Sequence, residues 1–460
     1  MNCRFILPLL FVSFLTACAK PNEKVLFDGS SLDKWVKEGD VKIDNQILIL
    51  TGEASQIVLK QGDYASFELS AQIRTTEYGK GFIGFHTDTK GNGGYRVAID
   101  NDISNNEWWT KTGSLLSVRN LTKSLIGENE WFALKIRVEG KKISVKVNDE
   151  PVVEYIEPAS PYRLPANAGQ KLSKGLFTIK STGSGAVEIK EITVSLLNNK
   201  NIDIAAQEAE ATDETTDDII KLHQANFPVL DYHVHLKENL SLELAKQQSR
   251  KFGINYALAP NCGIGFPITN DSGVIAYLDK MKEQPFVQAM QGEGREWPET
   301  FSKDVRDKFD YVFTDAMTFT DAKGRRTRLW MPDEVWVENE EEYMDLIVRK
   351  ICDVMNEPMD VYVNPTFLPD AMNDRYDAFW TDTRQQKVID AMVKAGKALE
   401  INARYEIPHK SFIQKAKAAG LKFTFGTNNS NADTGKLEYC IRMKNECNIT
   451  AEDMFKPIRR

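Results

Sequence analysis

The segment Phe227-Pro228-Val229-Leu230-Asp231-Tyr232-His233-Val234-His235 decides the fold of the second half of this 460-residue chain. An apolar run leads into two histidines at positions i and i+2, which is typical of a buried strand with polar side chains at its end. Side chains two residues apart on a strand point the same way, so both imidazoles face one point in space. The pair indicates two ligands of a metal ion, with a chance His-x-His pair on a solvated strand as the alternative.

Downstream of this strand, apolar strand candidates alternate with helical stretches, which predicts a parallel β/α sheet or barrel. Reactive residues in such barrels collect at the carboxyl ends of the strands. The polar residues at the predicted strand ends are His233 and His235, Asn261, Glu293 or Glu296, Asp315, Asn364, Glu400 with Asn402, and Asn428 with Asn429. Helix capping alone would place only Asp, Asn or Ser there, so this set predicts a binding or catalytic site.

The second half also resembles the polymerase and histidinol phosphatase (PHP) superfamily of metal-dependent phosphoesterases. The matching motifs are Asp231 to His235, Gly294-Arg295-Glu296, Asn364-Pro365 and Gly426 to Ser430. The resemblance implies an α/β fold, a distorted β/α barrel over residues 226–460, with a metal-dependent hydrolase activity. Asn261, Asn364, Asn428 and Ser430 stand where that family has imidazole or carboxylate ligands.

Neutral amides are weak metal ligands, so we expect one divalent ion, zinc, manganese or iron, in place of the family's three-metal cluster. The expected ligands are His233, His235 and Glu296, with Glu293 as the less favoured carboxylate and Glu400 or Asp315 in reach. Such a set leaves open positions for water and substrate. The expected substrate-binding residues are Arg295, Asn364 and Asn428, and Gly324 to Arg328 is either a further anion site or a solvated loop.

The first half, residues 24–197, carries many short alternating or apolar runs that are broken by turn residues, which predicts an all-β sandwich. Asn148-Asp149 between two such runs predicts a hairpin turn. The ordered segments Leu26 to Gly29, Gly81 to His86, Gly93 to Asp100 and Glu130 to Ile136 are similar to those of the 3-keto-disaccharide hydrolase domain. That resemblance implies a concanavalin-like jelly roll.

The same resemblance implies cleavage of a 3-keto-glycoside. A ketone at C3 acidifies the C2 proton, so a base can remove that proton while an acid protonates the leaving oxygen. The expected catalytic residues are His86, Arg96, Asp100 and Asp102, and Trp108 and Trp109 are expected to stack on sugar faces. Ordinary packing is the alternative for His86 and both tryptophans, because the sequence does not show which face they occupy.

The N-terminus resembles a bacterial export signal over residues 1–18. A charged start precedes the apolar run Phe5 to Leu15, which is too short to span a bilayer as a stable helix. Leu15-Thr16-Ala17-Cys18 resembles a lipobox, which implies lipidation of Cys18, with an ordinary signal peptide as the alternative. We therefore expect a chain in the cell envelope, anchored to a bacterial membrane by lipid alone, on the periplasmic side or the cell surface.

Charge and composition narrow the partners. The chain carries a net charge of −8, with acidic and basic residues interspersed. This pattern argues against a nucleic-acid partner and favours a small carbohydrate substrate. Residues 198–225, rich in acid, Ala and Thr, are expected to form a solvated linker. Two hypotheses follow: a lipid-anchored hydrolase of carbohydrate utilisation, or a non-catalytic glycan-binding lipoprotein whose barrel has lost its activity.

Overall fold

A computed structural model gives the structure of residues 23–198 and 200–457. It contains an antiparallel β domain followed by an α/β domain. The predicted signal and the predicted lipidation site Cys18 lie outside the described residues. No helix within the described ranges is long and apolar enough to cross a membrane.

The N-terminal domain is one large antiparallel sheet of eleven strands. The strands are β1 (Glu23–Phe27), β2 (Trp35–Asp44), β3 (Ile47–Leu59), β4 (Phe67–Thr75), β5 (Lys80–Thr87), β6 (Tyr95–Asp100), β7 (Phe132–Glu139), β8 (Lys142–Val147), β9 (Glu150–Ile156), β10 (Leu176–Ser181) and β11 (Ala186–Leu196). Their order is β6-β5-β10-β3-β11-β4-β7-β8-β9, with β1 paired to β11 and β2 paired to β3. This arrangement is consistent with the predicted jelly-roll sandwich.

Alternation of apolar and polar residues explains why these strands form and which face is buried. In β4, Phe67, Leu69, Ala71 and Ile73 are buried in the core, and the residues that alternate with them are half-buried on the other face. Asn148 and Asp149 between β8 and β9 have φ angles of 48° and 69°, which a tight hairpin turn with right-handed strand twist requires. The predicted hairpin at this position is confirmed.

The segment between the domains is helical, with α1 (Ile204–Glu210) exposed and α2 (Asp218–Gln224) largely buried. Ile220 packs in the core of the β domain, whereas Leu222 packs in the core of the α/β domain. The prediction of a solvated linker is therefore wrong for α2. The acidic residues around it obscure three apolar side chains, Ile219, Ile220 and Leu222, that this seven-residue helix packs against the two cores.

The C-terminal domain is built on parallel strands that alternate with helices. Its strands are β12 (Leu230–Val234), β13 (Asn255–Leu258), β14 (Asn261–Cys262), β15 (Val287–Gly292), β16 (Tyr311–Thr314), β17 (Thr318–Thr320), β18 (Arg326–Arg328), β19 (Val361–Tyr362), β20 (Ala398–Asn402) and β21 (Phe423–Gly426). Its helices are α3 (Leu242–Phe252), α4 (Asp271–Met281), α5 (Trp297–Thr300), α6 (Lys303–Arg306), α7 (Glu340–Val354), α8 (Asp370–Asn373), α9 (Tyr376–Phe379), α10 (Asp382–Ala395), α11 (Lys410–Ala418) and α12 (Glu438–Glu446).

The parallel strands follow the order β12-β13-β15-β16-β19-β20-β21, and the short strand β14 pairs in parallel with β15. The first and last strands approach each other, since the backbone N–H of Asn428 donates to the carbonyl of His233 at 2.9 Å. The Thr427 hydroxyl also donates to the Asp231 carboxylate at 2.5 Å. The sheet is thus nearly a closed barrel, which brings the ends of β12 and β21 side by side.

Capping residues fix the ends of these helices. The Asn339 side chain accepts a hydrogen bond from the N–H of Glu342 and so caps α7, whose first turn carries three glutamates. At the carboxyl end of α10, Gly396 adopts a φ of 66°. This left-handed conformation ends the helix at little conformational energy because glycine has no Cβ.

Candidate active site

Polar side chains gather where the parallel strands end. His233 lies on β12 and Glu400 and Asn402 lie on β20, while Asn364 and Asn428 follow β19 and β21. All of them are at the carboxyl end of their strand, the end where barrels place their reactive groups. The hydrogen bonds described below connect them into one cluster, as the sequence predicts.

The two histidines are each held by one ring nitrogen. His233 Nδ1 lies 2.6 Å from Glu400 Oε1, and His235 Nδ1 lies 2.7 Å from the carbonyl oxygen of Ala259. A carbonyl or carboxylate oxygen only accepts, so Nδ1 carries the proton in both rings and Nε2 presents a lone pair. Neither Nε2 atom has a hydrogen-bond partner among the described residues, although both side chains are buried. Two such atoms in one site indicate a ligand that accepts nitrogen lone pairs.

The geometry of the pair keeps both lone pairs available. The ring centroids of His233 and His235 lie 5.0 Å apart with an angle of 75° between the rings. Burial lowers the pKa of His235 well below its ordinary value, and the neighbouring His233 and Lys237 lower it further. His235 therefore stays neutral at physiological pH, which is the state that can coordinate a cation.

Glu400 acts as the orienting partner of His233 and is not free to be a separate ligand. Its Oε1 meets His233, and its Oε2 accepts from the backbone N–H of Asn364 at 2.7 Å and from the Asn402 amide at 2.9 Å. A Cβ on Gly426 would lie 2.2 Å from Glu400 Oε1, so only glycine lets β21 pass this close. The expected role of Glu400 as an open ligand is corrected to that of a positioning carboxylate.

An amide network extends from Glu400 to Asp315. The Asn364 side-chain carbonyl accepts from the amides of Asn402 at 3.0 Å and Asn428 at 2.9 Å. The Asn364 amide in turn donates to Asp315 Oδ2 at 3.0 Å. Asp315 Oδ1 accepts from the N–H of Met317 at 3.0 Å, so both oxygens of this predicted ligand are engaged. The two asparagines expected to bind substrate are therefore joined to the site, and they also help to order it.

Of the two carboxylates in the loop after β15, the structure favours Glu293. Glu296 is exposed, and its Oε2 accepts from the N–H of Arg295 at 3.1 Å in its own loop. Glu293 instead accepts from the Asn261 amide at 2.5 Å, and burial raises its pKa to about 8, with the Asp315 charge adding to the rise. The expected metal ligand Glu296 is thus corrected to an exposed loop residue, and Glu293 is the carboxylate of this loop that bonds to the strand-end residue Asn261.

Arg295 is a structural residue. Its Nη1 pairs with Glu357 at 3.1 Å, its Nη2 donates to Thr314 Oγ1 at 3.0 Å, and its Nε donates to the carbonyl of Gly294. A guanidinium whose three nitrogens all have partners in the protein has little left for a ligand. The expectation that Arg295 binds substrate is corrected accordingly.

Two cations that the sequence reasoning missed lie beside the histidines. Lys237 is more than half buried, and burial followed by the charge of Arg404 lowers its pKa. Arg404 donates to the carbonyl of Asn428 at 3.1 Å. The position of Lys237 was readable from the sequence, because it follows His235 by two residues, as His235 follows His233.

The residues fit a metal ion in part. The two Nε2 atoms are nitrogen donors whose rings are fixed through Nδ1, the arrangement usual for metal-ligating histidines. Across residues 23–198 and 200–457, no group of three or more His, Cys, Asp or Glu side chains is arranged to hold a metal ion. The protein thus supplies two ready donors, and the expected carboxylate ligands point elsewhere.

In the β domain, the predicted base His86 is a structural histidine. Its Nε2 lies 3.1 Å from the carbonyl oxygen of Ala65, and its Nδ1 accepts from the N–H of Ser173 at 3.1 Å. Burial lowers its pKa to about 4. With both ring nitrogens satisfied inside the protein, His86 has neither a free lone pair nor a free proton to offer a substrate, which corrects its expected role.

Asp100 and Asp102 do not join His86, although Arg96 lies close to it in strand register. Arg96 pairs in register with Gly84, and Asp100 pairs with Lys80, at the other end of the β5–β6 hairpin. Arg96 and Asp100 are four residues apart along β6, which is a distance of roughly 13 Å. Buried Asp100 lies 3.4 Å from the Lys111 ammonium, and Asp102 accepts from the N–H of Ser104 at 2.7 Å. These carboxylates stabilise their own loop, so the four residues do not form one site.

The predicted sugar-stacking tryptophans are buried between the domains. Trp108 and Trp109 are 2% and 7% exposed and belong to the core of the barrel domain. Trp109 Nε1 donates to the Asn226 side chain at 3.0 Å. The apolar face of a tryptophan can pack in a domain interface or stack on a sugar, and Trp108 and Trp109 pack in the interface. The expected stacking role is corrected.

Comparison with known proteins places the β domain. Residues 22–195 match the family described as 3-keto-alpha-glucoside-1,2-lyase-like domain, which is less than half of the chain. The N-terminal domain is thus 3-keto-disaccharide hydrolase-like, which gives the chain a link to carbohydrates. No curated protein matches this sequence.

Several solved structures are similar to part of this chain at low identity. A protein from Parabacteroides distasonis ATCC 8503 described as a glycosyl hydrolase is 17% identical, with 38% of this chain and 94% of that chain covered and a TM-score of 0.34. The carbohydrate-binding module CBM66 from Bacillus subtilis is 15% identical, with coverages of 35% and 95% and a TM-score of 0.28. The lumenal domain of VIP36 is 13% identical, with coverages of 42% and 94% and a TM-score of 0.30.

Proposed function

We propose that this chain is an exported, lipid-anchored hydrolase of carbohydrate utilisation whose reactive centre lies in the barrel at His233 and His235. The observation that carries the proposal is the pair of buried Nε2 atoms without partners. A buried polar atom without a partner costs about 1–3 kcal/mol, so a ligand that satisfies both atoms would repay that cost. The family match of the β domain supports a sugar as the molecule on which the protein acts.

In this proposal one divalent ion, zinc, manganese or iron, binds His233 and His235 through Nε2. Such an ion supplies Lewis-acid polarisation of a substrate oxygen. Glu400 holds the ring of His233 in place and the Ala259 carbonyl holds that of His235, so neither ring must reorganise when a ligand arrives. The open positions that two protein donors leave are available to water and substrate.

Glu293 is the proton donor in this proposal. With its pKa raised to about 8 by burial and by Asp315, Glu293 is mostly protonated at neutral pH. A carboxylic acid kept neutral in this way can protonate a leaving oxygen, as raised carboxyl groups do in other hydrolases. Asn261, which bonds to it at 2.5 Å, fixes its orientation.

The barrel is the better candidate for the chemistry than the β domain. Cleavage of a 3-keto-glycoside by the β domain, which the family resemblance implies, would need residues other than His86, Arg96, Asp100 and Asp102. Those four are separated along one hairpin or satisfied by the protein itself. We therefore assign sugar binding to the β domain and hydrolysis to the barrel.

Metal analysis of the purified chain tests the proposal. Mature protein is stripped with a chelator, reloaded with zinc, and compared with His233→Ala, His235→Ala and the matched control His409→Ala, whose histidine is exposed and paired with Asp377. We expect about one equivalent of metal in the parent and the control, and a severe loss in the other two, because each removes one of two nitrogen donors. Two folded variants with undiminished metal would refute the site.

Activity is tested on the same samples with 3-keto-glucosides and their reduced glucosides. Release of aglycone that requires His233 and added metal supports hydrolysis in the barrel. Release that survives His233→Ala would move the chemistry to the β domain. Saturable sugar binding with no release under any metal would leave the binding function alone.

That last outcome would favour the second candidate, a non-catalytic glycan-binding lipoprotein. The observation in its favour is that the described residues hold no group of three or more metal-ligating side chains. The amides at Asn261, Asn364 and Asn428, which replace charged ligands of the resembling family, point the same way. Both candidates keep Cys18 as the lipidated residue, and growth with a labelled fatty acid should mark the parent and leave Cys18→Ala unlabelled.

A further inference from the structure

A cavity lies between the two domains, away from the strand ends of the barrel. It has a volume of about 580 Å³, within the range of small-molecule sites. Arg119, Lys142, Glu154, Tyr155, Ile156, Glu210, Ala211, Thr212, Gln247, Arg250 and Lys251 line it. Its walls come from the β domain, from the end of α1 and from α3, so the cavity exists only where the two domains meet.

The charge of this cavity is opposite to that of the chain. Four cationic side chains face two carboxylates there, a net charge of plus two, whereas the whole chain carries −8. Glu154 is shared, since its Oε1 lies 3.2 Å from Arg250 Nε and its Oε2 lies 3.8 Å from Lys142 Nζ. Glu154 is thus shared between two cations, and the side chains that line the cavity keep a net positive charge.

Arg119 makes this excess costly to leave unpaired. Its side chain is buried at 6% exposure, and among the described residues its only side-chain hydrogen bond is from Nη1 to the carbonyl of Val118, while its Nε has no partner there. Glu214 and Asp217 act on the guanidinium only from beyond ion-pair distance. A buried guanidinium without a carboxylate partner among the described residues is a group that an anionic ligand would satisfy.

We propose that this interdomain cavity binds an anionic saccharide, with its charged group held by Arg119 and Arg250. The excess of positive charge selects the anion, and the cavity has room for one or two sugar rings. Thr212 and Gln247 supply polar groups for hydroxyls at the rim. The site is separate from His233 and His235 and does not depend on a metal there.

Calorimetric titration of the full mature chain tests this proposal with four probes: D-glucuronate, glucose 6-phosphate, D-glucose and inorganic phosphate. We expect saturable binding of an anionic sugar, weakened by salt, with D-glucose at least about tenfold weaker because it lacks the charge. Glucuronate and glucose 6-phosphate distinguish a carboxylate from a phosphate as the charged group. Inorganic phosphate that binds as tightly as both anionic sugars would overturn the saccharide assignment.

Variants locate the binding. Arg250→Gln is expected to weaken the anionic sugar about tenfold, the effect of one charge-assisted hydrogen bond, and Arg119→Gln at least as much. The matched control is Arg375→Gln, an exposed arginine paired with Glu340, which should change affinity less than about twofold. His233→Ala should bind the sugar like the parent, which separates this site from the metal site. No saturable binding of either anionic sugar, or binding unchanged in folded Arg250→Gln, would overturn the proposal.

Discussion

His86 in the β domain and His233 with His235 in the barrel are all buried histidines, yet they differ in how many ring nitrogens the protein uses. His86 has both nitrogens bonded to backbone groups, whereas each barrel histidine has one bonded and one without a partner. A fully bonded imidazole is a packing element. A half-bonded imidazole in a buried site is prepared for a ligand. The number of hydrogen-bonded ring nitrogens therefore distinguishes a structural histidine from a ligand-binding one, whereas burial does not.

The largest effect that sharpens this comparison is expected for Glu400→Ala. The change leaves the His233 Nδ1–H and the N–H of Asn364 without an acceptor in a fully buried place and removes one of the two acceptors of the Asn402 amide, at a cost of roughly 3–5 kcal/mol of unfolding free energy. Metal affinity should fall about 10–100-fold, because His233 loses its orienting partner. Denaturant unfolding and zinc titration measure the two effects, and Glu400→Gln should recover part of both. Parent-like metal affinity in a folded Glu400→Ala would contradict the orienting role.

The next effect is a pH dependence from His86. Its pKa is lowered by burial from 6.5 to about 4, so the unfolded chain binds a proton between these values that the folded chain does not. Its contribution vanishes above about pH 6.5, and stability is lost as the pH falls toward 4, by roughly 3 kcal/mol at pH 4. His86→Gln keeps a donor for Ala65 and an acceptor for Ser173 but does not titrate, so unfolding curves between pH 7 and 4 should show a shallower acid loss. An identical acid loss in both proteins would mean that His86 is not held neutral.

A smaller effect is expected for Trp109→Phe, which tests the interdomain role of the tryptophans. The variant loses the hydrogen bond to Asn226 and should lose about 1–2 kcal/mol of unfolding free energy with unchanged sugar affinity. Trp131, partly exposed beside Arg74 and Lys190, offers Trp131→Phe as a comparison outside the interface. A loss of sugar affinity at full stability in Trp109→Phe would restore the stacking role.

The smallest effect is expected for Glu296→Gln. This side chain is exposed and bonds only within its own loop, so stability should change by less than about 0.5 kcal/mol and metal content should stay the same. Glu293→Gln is the partner variant, since it removes the acid with the raised pKa and should lower hydrolysis without loss of metal. Loss of metal in Glu296→Gln alone would reinstate the ligand predicted from the sequence.

Local patterns carried the parts of this molecule that depend on neighbours along the chain. The i, i+2 spacing of His233 and His235 and the apolar run before them predict the strand, its burial and the shared direction of the rings. The alternation of strands and helices predicts the parallel sheet of the second domain. In the β domain, Asn148-Asp149 predicts the hairpin between β8 and β9. The structure confirms both elements.

The sequence could not supply contacts between distant segments. His86 is satisfied by Ala65 and Ser173, which are 21 and 87 residues away, so its lack of a free nitrogen is invisible in the local pattern. The choice between Glu293 and Glu296 depends on a distant contact, since Glu293 bonds to Asn261, 32 residues away, whereas Glu296 bonds within its own loop. Trp108 and Trp109 face the other domain, but a pair of tryptophans in the sequence is equally compatible with stacking on a sugar.

The wedge that α2 forms between the two cores has a consequence for how this molecule can be divided. Ile220 is seated in one core and Leu222 in the other, and Trp108 and Trp109 of the β domain complete the core of the barrel. A cut anywhere between residues 198 and 226 would expose apolar side chains on one half or both. The two halves are therefore poor candidates for separate expression or for exchange with other proteins as cassettes, and gene truncations that follow the family boundary should yield aggregates.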